Sequence, residues 1–236
     1  MIGTPAPRGR PRPSGQRPVF SAVLFDLDGT LIDSAPDLAG AANDMRLARG
    51  LPAKPFELLR PMVGAGARGM LGAAFGIRPD DPAFDAMKHE FLGLYEGRMT
   101  RLTRVFDAVW PLLDHLDGRG IAWGIVTNKA IRFAEPLSAA LQLQPRAATL
   151  VAGDTTPFSK PHPAPLLEAA RRMGRAPEAC VYVGDDLRDV QAGRAAGMGT
   201  AAAAWGYLGE GDAIEAGGAD HVLQNPAERL NLPGMA

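Results

Sequence analysis

The chain of 236 residues has a single cysteine, Cys180. No internal disulfide can form, and a reducing compartment, the cytoplasm, is the expected setting. Cys180 opens the apolar run Cys180-Val181-Tyr182-Val183 and reads as a small buried hydrophobe rather than a nucleophile. Net charge is nearly absent, −1 at pH 7, so the electrostatic footprint of a general nucleic-acid or membrane binder is missing. No apolar stretch approaches the roughly 20 residues needed to span a bilayer. The first 18 residues are rich in Pro, Gly and Arg and lack the apolar region of a secretory signal. Arg8, Arg10, Arg12 and Arg17 read as part of a disordered tail over 1–18 rather than as a dock for an acidic partner. Internal repeats are absent too. What remains is an ordinary globular composition, 46% hydrophobic and 22% charged.

Short apolar runs end abruptly in polar residues. Phe20 to Phe25 stops at Asp26, and Ile121 to Val126 stops at Thr127. Leu150 to Ala152 and Cys180 to Val183 behave alike, and Thr200 to Trp205 is a weaker case. Runs of this length suit buried strands. Between them lie helical stretches: Trp110 to Arg119, Ile131 to Leu141, Pro163 to Met173 and Leu187 to Ala196. This alternation predicts an α/β fold with a doubly wound, mostly parallel sheet. From Asp33 to about Thr103 no strand is evident. That stretch reads as helices over Ala35 to Arg49, Pro55 to Met62, Ala67 to Phe75 and Pro82 to Met99. Ser34 and Asp37 are placed to cap the first of them. An all-helical domain over 34–102 is therefore expected, inserted into a sheet domain built from 19–33 and 103–236.

Ligands bind such sheets at the carboxyl ends of the strands. Four strand ends carry chemistry here: Asp26-Leu27-Asp28-Gly29-Thr30, Thr127-Asn128-Lys129, Ser159-Lys160-Pro161, and Gly184-Asp185-Asp186 with Asp189 following. Residues two apart on an extended chain share a face, so Asp26 and Asp28 can both enter one site. Each signal alone could be a turn, a satisfied strand end or a solvated lysine. A calcium loop is excluded, because Leu31 stands where that loop requires Gly. Asp-x-Asp, then Thr, then Lys, then Gly-Asp, each closing a strand, is improbable as four unrelated loops.

In that order the motifs resemble the haloacid dehalogenase superfamily, over nearly everything from Phe20 to Leu230. Val126 to Lys129, Arg132-Phe133-Ala134-Glu135-Pro136 and Val183 to Val190 narrow the likeness to phosphoglycolate phosphatases and N-acetylmuramic acid 6-phosphate phosphatases. The resemblance implies a core with a helical cap, and hydrolysis of a small phosphorylated metabolite, phosphoglycolate first. It implies that Asp26 is the nucleophile and that Asp28 gives and later takes a proton. Mg²⁺ would be held by the Asp26 and Asp185 carboxylates and the Asp28 carbonyl. Thr127 and the Asn128 N–H would bind phosphoryl oxygens, Lys160 would offset their charge, and Asp189 would support Lys160 or a metal-bound water. Asp186 stands where relatives often have a small polar residue, and its role is open. In the cap, Arg60 and Arg68 are the candidates to grip a substrate carboxylate or sugar oxygen. Dehalogenases lack a carboxylate at the position of Asp28, so its presence favours phosphoryl chemistry, with a sugar-phosphate mutase as an alternative. A signalling receiver and an inactive scaffold fit less well, since the phospho-acceptor already ends the first strand and no motif residue is missing. Monomer and homodimer are both compatible with the sequence.

Overall fold

The computed structural model describes residues 20–207, 217–226 and 228. The expected tail over 1–18 and the last residues of the expected core lie outside that range. In chain order the sheet part opens with β1 (Ala22–Phe25) and β2 (Ile32–Asp33), and only helices follow until β3 (Arg104–Val105). Those helices are α1 (Ala35–Ala48), α2 (Phe56–Leu59), a 3₁₀ turn over Arg60–Ala65, α3 (Gly66–Phe75) and α4 (Phe84–Glu96). The chain continues through α5 (Val109–Gly118), β4 (Ala122–Val126), α6 (Ile131–Ala140), β5 (Leu150–Val151) and α7 (Ala164–Arg172). It then forms β6 (Cys180–Gly184), α8 (Leu187–Ala195), β7 (Gly199–Ala203) and β8 (His221–Leu223).

Six strands form one parallel sheet in the order β5-β4-β1-β6-β7-β8. Helices cover both faces, and that is why the strands read as continuous apolar runs. Alternation along β1 sorts its side chains. Val23 and Phe25 pack with Leu112, Leu113 and Leu137 of α5 and α6, while Ala22 and Leu24 pack with Leu166, Ala169 and Ala192 of α7 and α8. The doubly wound parallel sheet expected from the sequence is present.

Winding reverses at β1: the chain goes from β1 to β4 and β5 on one side, then returns to β6 on the other. Such a reversal opens a crevice at the carboxyl ends of the strands. Register makes the crevice polar. Phe25 pairs with both Ile125 and Val183, so Asp26, Thr127 and Asp185 emerge side by side just beyond the paired residues.

The helices between β2 and β3 share a separate apolar cluster that includes Met45, Leu59, Met70, Phe91 and Tyr95, and into which Phe133 and Tyr207 also pack. Entry and exit run together, because β2 and β3 pair antiparallel through Ile32–Val105 and Asp33–Arg104. Ser34 precedes α1 as expected, but it does not cap the helix by its side chain. Its hydroxyl donates to Asp28 instead, at 2.5 Å. Asp37, fully buried, accepts from the backbone N–H groups of Leu102 and Thr103 and from the Thr103 hydroxyl. The expected Ser34–Asp37 capping pair thus serves the two crossings between sheet and helices. A carboxylate with three donors at the exit strand is better satisfied than one at a single helix N–H.

Candidate active site

Each expected residue can be followed to its place at the sheet's carboxyl edge. Asp26 leaves β1 and Lys160 comes from the loop after β5. The Lys160 ammonium lies 2.8 Å from Asp26 Oδ1, 2.8 Å from Asp189 Oδ1, 2.7 Å from the Tyr182 hydroxyl and 3.1 Å from the Val126 carbonyl. Its side chain is 3% exposed. Burial alone would lower the lysine pKa, but the Asp189 and Asp26 carboxylates outweigh it and hold the pKa above the ordinary value. Asn128 aims the loop, accepting from the Lys160 N–H at 2.9 Å and donating to the Lys160 carbonyl at 3.0 Å. Its side chain therefore has a positioning task that the sequence did not suggest. Thr127 is buried beside it.

Asp185 follows β6 and is fixed at both oxygens, accepting from the Thr30 hydroxyl at 2.8 Å and from the Tyr207 N–H at 2.8 Å. One oxygen from each of Asp26, Asp185 and Asp189 falls within 4.8 Å of the others, and all three residues are buried. Burial pushes Asp26 up to about 7, with Lys160 opposing and Asp189 adding to the rise. Burial, then the charges of Asp26 and Asp189, carries Asp185 well above the usual carboxylate range. Buried carboxylates so crowded, offering only oxygen, fit a hard divalent cation.

Gly29 makes this packing possible. Its φ is +86°, and a Cβ there would land on the Asp185 carboxylate and the Tyr207 ring. We expect Gly29→Ala to cost at least about 1–2 kcal/mol for the left-handed backbone alone. Displacement of Asp185 should lower activity as well. Thermal melts and kcat measured together would check both effects.

Asp28 is held by the Ser34 hydroxyl and, 3.1 Å away, by the ammonium of Lys129. Asp186, whose role the sequence left open, caps α8. It accepts from the Arg188 N–H, and with Asp189 it forms a reciprocal capping box. Its carboxylate also holds the Arg188 guanidinium at 2.7 and 2.8 Å, and Arg188 donates onward to the Gly64 carbonyl of the helical segment. Arg188 outweighs burial and holds the Asp186 carboxyl below the usual range.

These groups face a cavity of about 410 Å³ between the strand ends and the helices, walled by Leu38, Val63, Phe91, Leu92 and Phe133. Arg60 and Arg68 do not line it. Arg60 lies 3.8 Å from Asp33 and over the Tyr207 ring, 4.9 Å from its centre. Arg68 is exposed and lines a neighbouring depression. Of the helical segment's basic residues, Lys88 of α4 is the one that lines the cavity. Lys129, Tyr182, Arg188, Thr30, Ser34 and Tyr207 are the contacts that sequence reasoning missed. Lys129 carried a signal, since it follows Thr127-Asn128 directly at a strand end.

A family model described as haloacid dehalogenase-like hydrolase matches residues 20–197, the span that contributes all four strand ends. The chain belongs to that family. This hydrolase is 48% identical over 208 residues to a phosphoglycolate phosphatase of Xanthomonas campestris pv. campestris, covering 88% of this chain and 93% of that one. It is 41% identical over 213 residues to an N-acetylmuramic acid 6-phosphate phosphatase of Pseudomonas aeruginosa, covering 90% and 94%. Among solved structures, the hydrolase superposes on a predicted phosphoglycolate phosphatase from Haemophilus somnus with a TM-score of 0.78 at 27% identity, over 89% of this chain and 96% of that one. Among its described residues no helix is long and apolar enough to cross a membrane.

Proposed function

We propose that this hydrolase is a Mg²⁺-dependent cytoplasmic phosphatase that cleaves a small phosphate monoester through a phosphorylated Asp26, with phosphoglycolate as its substrate. The observation that carries the reading is the pairing of Asp26 with Asp28 at one strand end. One is locked onto a buried ammonium and the other lines the cavity between Ser34 and Lys129. A leaving alkoxide needs a proton, and Asp28 is placed to supply it. The relatives named above, both phosphatases of phosphorylated organic acids, support the same chemistry.

Lys160 holds Asp26 Oδ1, whereas Oδ2 has no hydrogen bond among the described residues and is the attacking atom. Oδ2 bonds to phosphorus as the P–O ester bond breaks, and the departing oxygen takes the proton of Asp28. Asp28 then takes a proton from water, whose oxygen attacks phosphorus and releases phosphate and the free Asp26 carboxylate. Thr127 and the Asn128 N–H bind the phosphoryl oxygens. Mg²⁺, held by Asp26, Asp185 and the Asp28 carbonyl, would supply positive charge against the phosphoryl oxygens. Residues 34–102 act as a cap that excludes water and selects the leaving group.

The 41% identity to an N-acetylmuramic acid 6-phosphate phosphatase supports that ester as a second reading. The test is kcat/KM on both esters and on common sugar phosphates, with Mg²⁺ and with excess chelator. Turnover should stop in chelator and return with Mg²⁺, and phosphoglycolate should lead the panel. Full activity in chelator would overturn the metal assignment, and a lead for the sugar acid would select the second reading.

A further inference from the structure

Of the cations lining the cavity, two are fully engaged. Lys160 is shared between Asp26 and Asp189, and Arg188 between Asp186 and the Gly64 carbonyl. Lys88 is exposed. Lys129 differs from all of them. Its side chain is only 9% exposed, and its one ion-pair partner among the described residues is Asp28, at 3.1 Å. An ammonium has three N–H donors, so its one ion pair, with Asp28, leaves donors for the Tyr95 side chain beside it and for the cavity that it lines. The Lys129 ammonium also lies 4.7 Å from the centre of the Tyr95 ring. Tyr95 belongs to α4, is 1% exposed, lines the cavity, and has a hydroxyl without a hydrogen-bond partner among the described residues. A buried phenol left unpaired is costly, and a ligand oxygen that accepts from it would remove that cost.

We propose that Lys129 and Tyr95 form the subsite that reads a carboxylate on the carbon next to the ester oxygen. The inference rests on the phosphatase reading above and assigns its specificity. Asp28 can protonate the ester oxygen only from hydrogen-bond distance, about 2.6–3.2 Å. In a 2-phospho-acid one carbon separates that oxygen from the carboxylate, so the carboxylate must lie within a few ångströms of Asp28. Lys129 is the cation found there, and Tyr95 places a second donor beside it from the cap side. The subsite needs both halves of the molecule, so it is complete only when the helical segment lies over the strand ends.

The test compares phosphoglycolate with ethyl phosphate, which has the same two-carbon alcohol skeleton without the carboxylate. The readout is the ratio of their kcat/KM values, which cancels any effect that Lys129 exerts through Asp28. Wild type should prefer phosphoglycolate. Lys129→Met should reduce the ratio about 10- to 100-fold, the scale of a charge-assisted hydrogen bond. Tyr95→Phe should reduce it less, and Lys129→Arg should restore part of it. Inhibition by inorganic phosphate and the melting temperature report whether the phosphoryl site and the fold survive. A wild-type preference that Lys129→Met, Lys129→Arg and Tyr95→Phe all leave intact would overturn the subsite. No preference in wild type would instead overturn phosphoglycolate as the substrate.

Discussion

Asp26→Asn should abolish turnover of every phosphate ester while leaving the chain folded. The carboxamide is nearly isosteric and its oxygen can still accept from Lys160, but it cannot become an acyl phosphate. Loss of a covalent nucleophile costs on the order of 10⁵-fold or more in kcat. Stability should hold or rise slightly. Asp26 is one of three buried carboxylates within 4.8 Å of one another, and burial has already pushed it up to about 7. Removing one of these charges relieves the other two. Single-turnover assays and thermal melts check the two halves of the prediction. Residual turnover above about 1% of wild type would exclude a covalent route whose loss is expected on the scale above.

Lys160→Met should damage activity and stability together. The ammonium is almost wholly buried and is the cation between Asp26 and Asp189. Its removal leaves two buried carboxylates facing each other across an apolar side chain, a defect that costs about 3–5 kcal/mol. In a chain of this size each kcal/mol is worth about 2–4 °C, so melting should fall by about 6–20 °C. On the proposed role of Lys160, rate should fall at least about 10²-fold as the fixed positive charge beside Asp26 is lost. Added Mg²⁺ should recover part of the melting temperature but little of the rate, because it can neutralise the carboxylates without replacing the ammonium's contact to Asp26. Melting unchanged from wild type would show that the carboxylates are neutral without Lys160.

Much of this architecture was legible because strand ends and burial periods are local signals. The apolar runs that stop at Asp26, Thr127 and Asp185 each became a strand whose next residues enter the site. The helices fell within about three residues of their expected limits, with one exception: the stretch after Pro55 turns 3₁₀ at Arg60. β2, β3 and β8 were invisible, because each is two or three residues long and lacks the run of three apolar residues that marked the equally short β5. The same limit applies within the site. Tyr207 accepts from the Ser34 and Ala35 N–H groups far away in the chain, and no local pattern announces that. Arg68 was placed correctly at the start of a helix, but only tertiary packing decides that it faces away from the cavity. Tyr182 was hidden inside an apolar run whose alternation shows burial and not the partner of a phenol.

The central place of β1 also orders events in time. Ala22 pairs with Ala122 on one side and with Cys180 on the other, so the two strands that flank Asp26's own strand come from distant parts of the chain. Long loops must close before either pairing returns any energy. The helices between β2 and β3, by contrast, draw nearly all of their shared apolar cluster from within residues 35–95. Helical signal during refolding can therefore return while the chain is still without chemistry, and catalytic competence appears only with the last long-range pairing. Turnover in this protein is a clock for topology, not for helix formation.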